Sequence, residues 1–220
     1  MAAERWLEAT WPVVQALLPA PPARVLELGC GPLGGFVPRL RDSGCDAVGV
    51  DPNAPEEAGY HRVRFEEAEL SAGADALVAS ASLHHVADPA EVLDRVAAAL
   101  APGGTVVVVE WAWEDLDEPT AEWGFRRLGP EEGWLRRRRE GWLESGQPWS
   151  AYFQGWAQEE GLHPAGTLLR LLDERFEHRE LSRGPYLFAD LAETSPEDEQ
   201  RAIDAGEIRA TRVVYAGRRA

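Results

Sequence analysis

Four consecutive valines, Val106 to Val109, follow Thr105 without a polar interruption. A strand points successive side chains to opposite faces, so a run without alternation is stable only where both faces are covered. Such a run belongs in the middle of a parallel sheet with helices packed on each side. Residues 24–28, 47–50, 63–65 and 76–79 read as further short strands, each bounded by turn or charged residues. Helical spacing falls between them. Trp6, Leu7, Trp11, Val14, Leu17 and Leu18 mark a leading helix over 4–18, stopped by Pro19, Pro21 and Pro22. Leu33, Phe36, Val37 and Leu40 mark a second, and Val92, Leu93, Val96 and Leu100 a third. Asp88 and Pro89 open that third helix, and Pro102, Gly103 and Gly104 close it.

Strands alternating with helices predict an α/β, doubly wound, Rossmann-like sheet, and 220 residues suit one domain over 1–220. The tail adds two strands, about 176–181 and 212–216, which can pair as an antiparallel hairpin. Ser195, Pro196 and Glu197 start a helix between them. From about 111 to 163 the pattern changes, because seven of the nine tryptophans lie there. Trp149, Tyr152, Phe153 and Trp156 follow helical spacing and share one face. This segment reads as a helical insertion, either a lid that excludes water or a set of helices with an aromatic core.

Composition excludes several chemistries. All 22 basic residues are arginine, so no lysine is available for a Schiff base or a phosphate-binding loop. Cys30 and Cys45 form no metal-ligand pair, and the five histidines lack zinc spacing, so no metal is expected. A net charge of −16 repels nucleic acid, and Arg136 to Arg139 read as a solvated helix face. No apolar run reaches the ~18 residues that span a bilayer, and the first residues, with Glu4, Arg5, Trp6 and Glu8, do not show the charged-then-apolar pattern expected of a secretory signal. A soluble, cytoplasmic protein with a small-molecule substrate, monomeric or homodimeric, is expected.

The chemistry centres on Glu27-Leu28-Gly29-Cys30-Gly31-Pro32-Leu33-Gly34, a strand running into a GxGxxG turn. Asp51 ends the next strand, where a carboxylate can accept hydrogen bonds from both hydroxyls of a ribose. A nicotinamide dinucleotide and an adenosyl sulfonium could each use these features. Glu27 separates them. A carboxylate on a buried strand needs a cation or hydrogen-bond donors, and it attracts a sulfonium while repelling a pyrophosphate. The alternative role for Glu27 is to cap a neighbouring loop.

With VLELGCG at 25–31, VGVD at 48–51, DALVASASLHHVADP at 75–89 and LAPGGTVVVVE at 100–110, the chain resembles the class I S-adenosylmethionine-dependent methyltransferases. The resemblance implies a seven-stranded, mostly parallel sheet with the last strand antiparallel, and S-adenosyl-L-methionine as cofactor. It also implies that Glu27, Gly29, Cys30 and Gly31 hold the methionine end and that Asp51 binds the ribose. By the same resemblance Pro52 and Asn53 flank the adenine, Glu67 and Ala68 meet its amine, and Ala79, Ser80, Ser82 and His85 approach the cofactor.

His84 and His85 follow the fourth strand at its carboxyl edge, and Glu110 ends the valine strand, so these three are the candidate catalytic bases. The histidines have packing or cofactor contact as the alternative role, and Glu110 has backbone capping. The expected activity is methyl transfer to an oxygen or nitrogen of a small molecule, natural products included. Two rivals stand beside it: a Rossmann-type NAD(P)-dependent oxidoreductase, and a cofactor-binding protein without catalysis.

Overall fold

The computed structural model describes residues 2–220. Helix α1 (Ala2–Leu17) leads into β1 (Arg24–Leu28), α2 (Val37–Asp42), β2 (Asp46–Val50) and the two-residue β3 (Tyr60–His61). Then come β4 (Ala74–Ser80), α3 (Pro89–Ala99) and the long β5 (Leu100–Trp111). Three helices follow, α4 (Glu118–Phe125), α5 (Trp134–Ser145) and α6 (Trp149–Glu159), before α7 (Ala165–Asp173). The chain ends with β6 (Glu177–Gly184), α8 (Pro196–Asp204) and β7 (Arg212–Arg218).

All seven strands form one sheet in the order β3-β2-β1-β4-β5-β7-β6. Pairings from β3 to β5 are parallel, and β7 lies antiparallel between β5 and β6. The valine strand therefore has one parallel neighbour and one antiparallel neighbour. Its burial follows from alternation. Val106 and Val108 pack with Leu26, Leu77 and the apolar faces of α3 and α7, while Val107 and Val109 pack with Val25, Val78 and the faces of α1 and α2. Each is at most 2 % exposed, and a valine so buried contributes about 1.5–3 kcal/mol.

Local capping accounts for the helix starts. Asp88 accepts from the N–H groups of Ala90 and Glu91 at the head of α3, and Ser195 and Asp198 form a reciprocal box at the head of α8. Three expectations need correction. Leu33 lies 40 % exposed in the glycine turn, because the left-handed Gly34 and Gly35 delay α2 until Val37. The strand expected over 63–65 is instead Tyr60–His61, paired with Gly49 and Val50. Residues Phe65–Glu67 form a single 3-10 turn held by Arg95, whose guanidinium donates to the carbonyls of Phe65 and Ala68. Finally, α3 ends at Ala99, and Leu100 to Gly104 already belong to β5, with Leu100 opposite Ala74.

Candidate functional site

The carboxyl ends of β1, β2 and β4 meet at a crevice of about 370 Å³, within the ~300–1,000 Å³ typical of small-molecule sites. Its floor is Gly29, whose N–H donates to Val50 O at 2.9 Å. Gly29 has φ +72°, and a Cβ there would stand 2.2 Å from Ser82 Cβ. Backbone conformation and space both require glycine.

Asp51 and Pro52 form the β2 side of the crevice. One Asp51 oxygen accepts from Asn53 N–H at 2.7 Å, and no described residue bonds the other. Leu28, Val50, Phe65, Leu83, Val86 and Val92 supply an apolar wall. Glu66 closes that end and Glu67 does not line it, because the 3-10 turn at Phe65–Glu67 directs consecutive side chains apart.

Of the residues expected to hold a cofactor, Gly29, Asp51, Pro52, Ser82 and His85 line this crevice together. Asn53 is exposed beside it, and Gly31, φ +61°, faces open space. Ala68, Ala79 and Ser80 are buried, and the Cys30 sulfur is packed against Gly49 of β2. Glu27 is 1 % exposed and lies beneath the turn, where both its oxygens accept from Phe36 N–H at 3.0 and 2.8 Å. This is the capping contact, made across Gly35, where a Cβ would come within 2.2 Å of the carboxylate. Burial pushes the Glu27 pKa up to about 8, although the N–H groups of Phe36 and Val37 oppose it.

The turn after β4 is held from outside. Glu110, 2 % exposed, accepts from Ser82 N–H at 2.9 Å and Leu83 N–H at 2.7 Å. Its other oxygen lies 2.5 Å from His84 Nδ1 and 3.3 Å from Trp111 N. From the loop before α7, His163 N–H donates to His84 O at 3.0 Å and its Nε2 bonds Val86 O at 2.8 Å. His85 sits between these anchors with its ring at the crevice. Partial removal from solvent, and then the neighbouring His84, lower its pKa below the usual histidine value. A neutral imidazole at the crevice wall can accept a proton, whereas His84 and Glu110 are buried and engaged with each other.

The methyltransferase domain model matches residues 4–174, more than three quarters of the chain. The chain belongs to the methyltransferase family. An uncharacterized methyltransferase of Mycobacterium tuberculosis is 37% identical over 112 residues, which cover 46% of this chain and 44% of that protein. The chain thus spans less than half the length of this curated relative. Among solved structures, an S-adenosylmethionine-dependent methyltransferase from Mesorhizobium loti superposes with TM-score 0.60 at 21% identity, covering 97% of this chain and 100% of that one. Geranyl diphosphate C-methyltransferase from Streptomyces coelicolor gives 0.58 at 15% identity, covering 97% and 79%. These likenesses establish the fold, the mostly parallel seven-stranded sheet of S-adenosylmethionine-dependent methyltransferases.

In this methyltransferase domain, the tryptophan-rich segment is a helical layer at the carboxyl edge of β5 with a core of its own. Trp111, Trp113, Trp123 and Trp149 are at most 8 % exposed, and Trp149 stacks on Phe153 at 4.7 Å. Trp134, Trp142 and Trp156 pack half-buried around them. Sequence reading missed several contributors. Trp6 of α1 reaches over the sheet to donate to Ser80 Oγ at 3.3 Å, and Tyr186, just before a 3-10 turn, packs against it at 4.9 Å. The backbone of that turn is fixed by Glu199 of α8, which accepts from the N–H groups of Tyr186, Leu187 and Phe188. Glu199 was readable only as one more acid in a helix rich in them.

Proposed function

We propose that the chain is an S-adenosylmethionine-dependent enzyme that methylates an oxygen or nitrogen of a small molecule. The observation that carries this reading is the crevice, with a free carboxylate oxygen of Asp51 at one wall and neutral His85 at another. Gly29 lets a ligand lie against the backbone, Asp51 suits a pair of ribose hydroxyls, and Phe65 and Pro52 suit a flat base. Glu66, which lines the crevice, would meet the adenine amine in place of the neighbouring Glu67. Glu27 stands behind the turn, where it shapes the methionine end and supplies negative charge once ionised. Bound there, S-adenosylmethionine would supply a methyl group activated towards a nucleophile by its positive sulfur.

The chain's own work is then positioning and proton transfer. Alignment of the reactants is worth effective molarities of roughly 10⁵–10⁸ M, against on the order of 10²–10⁴ for a general base. His85 takes the proton from the acceptor and releases it to water, while His84, Glu110 and His163 hold its turn. A dinucleotide is disfavoured by topology. Its two mononucleotide halves use strand order 3-2-1-4-5-6 in a parallel sheet, and here antiparallel β7 separates β5 from β6. Calorimetric titration tests the assignment: S-adenosylhomocysteine should bind and NAD should not. Transfer of labelled methyl from S-adenosylmethionine to a component of a cognate extract then separates an enzyme from a protein that only binds the cofactor.

A further inference from the structure

Phe65 and Glu66, the wall of the crevice assigned above to the base, stand on a stretch with little regular structure. Strand β3 ends at His61 and β4 begins at Ala74. Within 63–71 the hydrogen bonds among the described residues are local: Glu67 N–H donates to Arg64 O, and Ala68 N–H to Phe65 O, which closes the 3-10 turn. The hydrogen bonds that tie this stretch to the rest of the described chain both come from Arg95 of α3. One nitrogen of its guanidinium donates to Phe65 O at 3.3 Å and to Ala68 O at 2.5 Å. The same guanidinium lies 5.7 Å from the centre of the Phe65 ring.

Arginine is a costly residue for this place, because its Nε is buried without a hydrogen-bond partner. What offsets that cost is the pair of carbonyls and the ring of Phe65. Helix α3 also reaches both ends of the crevice. Its start follows directly from the turn that carries His85: Val86 lines the crevice, and Asp88 caps the helix. Val92 lines the crevice as well and shares a hydrophobic core with Phe65, and Arg95 follows three residues later on the same face. One rigid helix of 11 residues therefore spaces the base wall from His85.

We propose that Arg95 is a positioning residue for the cofactor: from outside the crevice it sets Phe65 and Glu66 against the adenine, and so governs both affinity and selection for that base. The proposal rests on the methyltransferase reading and deepens it to the recognition of one part of the cofactor. Without the guanidinium, Phe65 O and Ala68 O must find other partners, and Glu66 loses its place. Gly29, Asp51 and the turn of His85 keep theirs, because each is held by bonds that do not involve Arg95.

The test is calorimetry on the intact chain with two ligands, S-adenosylhomocysteine and S-inosylhomocysteine, in which a carbonyl replaces the adenine amine. Wild type should prefer the adenosyl ligand, since a carboxylate accepts from the amine and repels the carbonyl oxygen. Arg95→Met keeps the stem and removes the donors. It should weaken S-adenosylhomocysteine about threefold to tenfold and S-inosylhomocysteine less, so that the preference narrows. A purely structural loss would weaken both ligands alike. Equal weakening, unaltered S-adenosylhomocysteine binding in Arg95→Met, or a wild type without preference for adenine would overturn the positioning role. Should Arg95→Met not fold, Arg95→Lys, which keeps the charge but loses the planar fork, decides alone. A preference narrower than that of wild type supports the role, and an unaltered one overturns it. Failure of wild type to bind S-adenosylhomocysteine would instead strike the methyltransferase reading itself, so the two failures are distinguishable.

Discussion

His84 Nδ1 lies 2.5 Å from Glu110 Oε2, and the two side chains are 4 % and 2 % exposed. Through its other oxygen Glu110 also fixes the N–H groups of Ser82 and Leu83. The end of β5 thereby sets the position of the turn after β4. Replacement of Glu110 by alanine leaves His84 and two backbone donors without partners, and breaking a buried pair of this kind costs about 3–5 kcal/mol. Urea unfolding should register that loss, and an undiminished midpoint would exclude the anchoring role.

His85 differs in being free of these bonds while facing the crevice. His85→Ala should lower the rate of methylation of a hydroxyl acceptor by on the order of 10²–10⁴ while leaving the unfolding midpoint unchanged. Its pKa is lowered, first by burial and then by His84, so the ring becomes neutral below the usual histidine value of 6.5. The wild-type rate is therefore expected to rise with pH through a step below that value and to be flat above it. A step above it, or an unchanged step in the alanine variant, would assign proton transfer to another group.

Glu27 gives a stability signature of opposite form. Its folded pKa is raised from 4.5 to about 8, so between these values the folded chain holds a proton that the unfolded chain releases. Its contribution to stability therefore falls as pH rises through that window and is lowest above it. Glu27→Gln keeps an uncharged acceptor for Phe36 N–H and removes the titration. The variant should gain stability relative to wild type as the pH climbs, measured by paired urea unfolding across the window. It should also bind S-adenosylmethionine more weakly at the alkaline end, where the wild-type carboxylate is ionised. A stability difference that does not vary with pH would sink the argument.

Gly29→Ala is expected to be destabilising for two separable reasons. The left-handed backbone costs a residue with a Cβ about 1–2 kcal/mol, and the added carbon would stand 2.2 Å from Ser82 Cβ. Overpacking adds about 1–3 kcal/mol. Adding Ser82→Gly should recover the second part and leave the first. Full recovery in thermal melts of the double variant would mean that backbone strain contributes nothing.

Much of the fold was legible in local pattern. Val106 to Val109 announced a strand covered on both faces because side-chain alternation is a property of the backbone alone, and Asp88 and Ser195 announced helix starts because capping needs only three or four neighbouring residues. The glycine turn and Asp51 were likewise readable, since each ends a strand and strand ends at one sheet edge necessarily cluster. The third strand was misplaced. Tyr60–His61 is held by only two paired residues of β2, so tertiary contact rather than its own periodicity defines it.

What the sequence by itself determined was the order of strands and helices, the strained turn, and the set of side chains brought to one edge, all consequences of short-range geometry. Tertiary structure alone decided which members of that set face the crevice. Glu66 does where Glu67 does not, and His85 does while His84 turns inward to Glu110, because each pair stands on its own 3-10 turn, Phe65–Glu67 and Leu83–His85, which points adjacent side chains in different directions. It also decided that Trp6 and Tyr186, 180 positions apart, pack against each other beside Trp111. No local preference encodes such a meeting. It follows from β7 inserting beside β5 and from Glu199 fixing the turn on which Tyr186 stands.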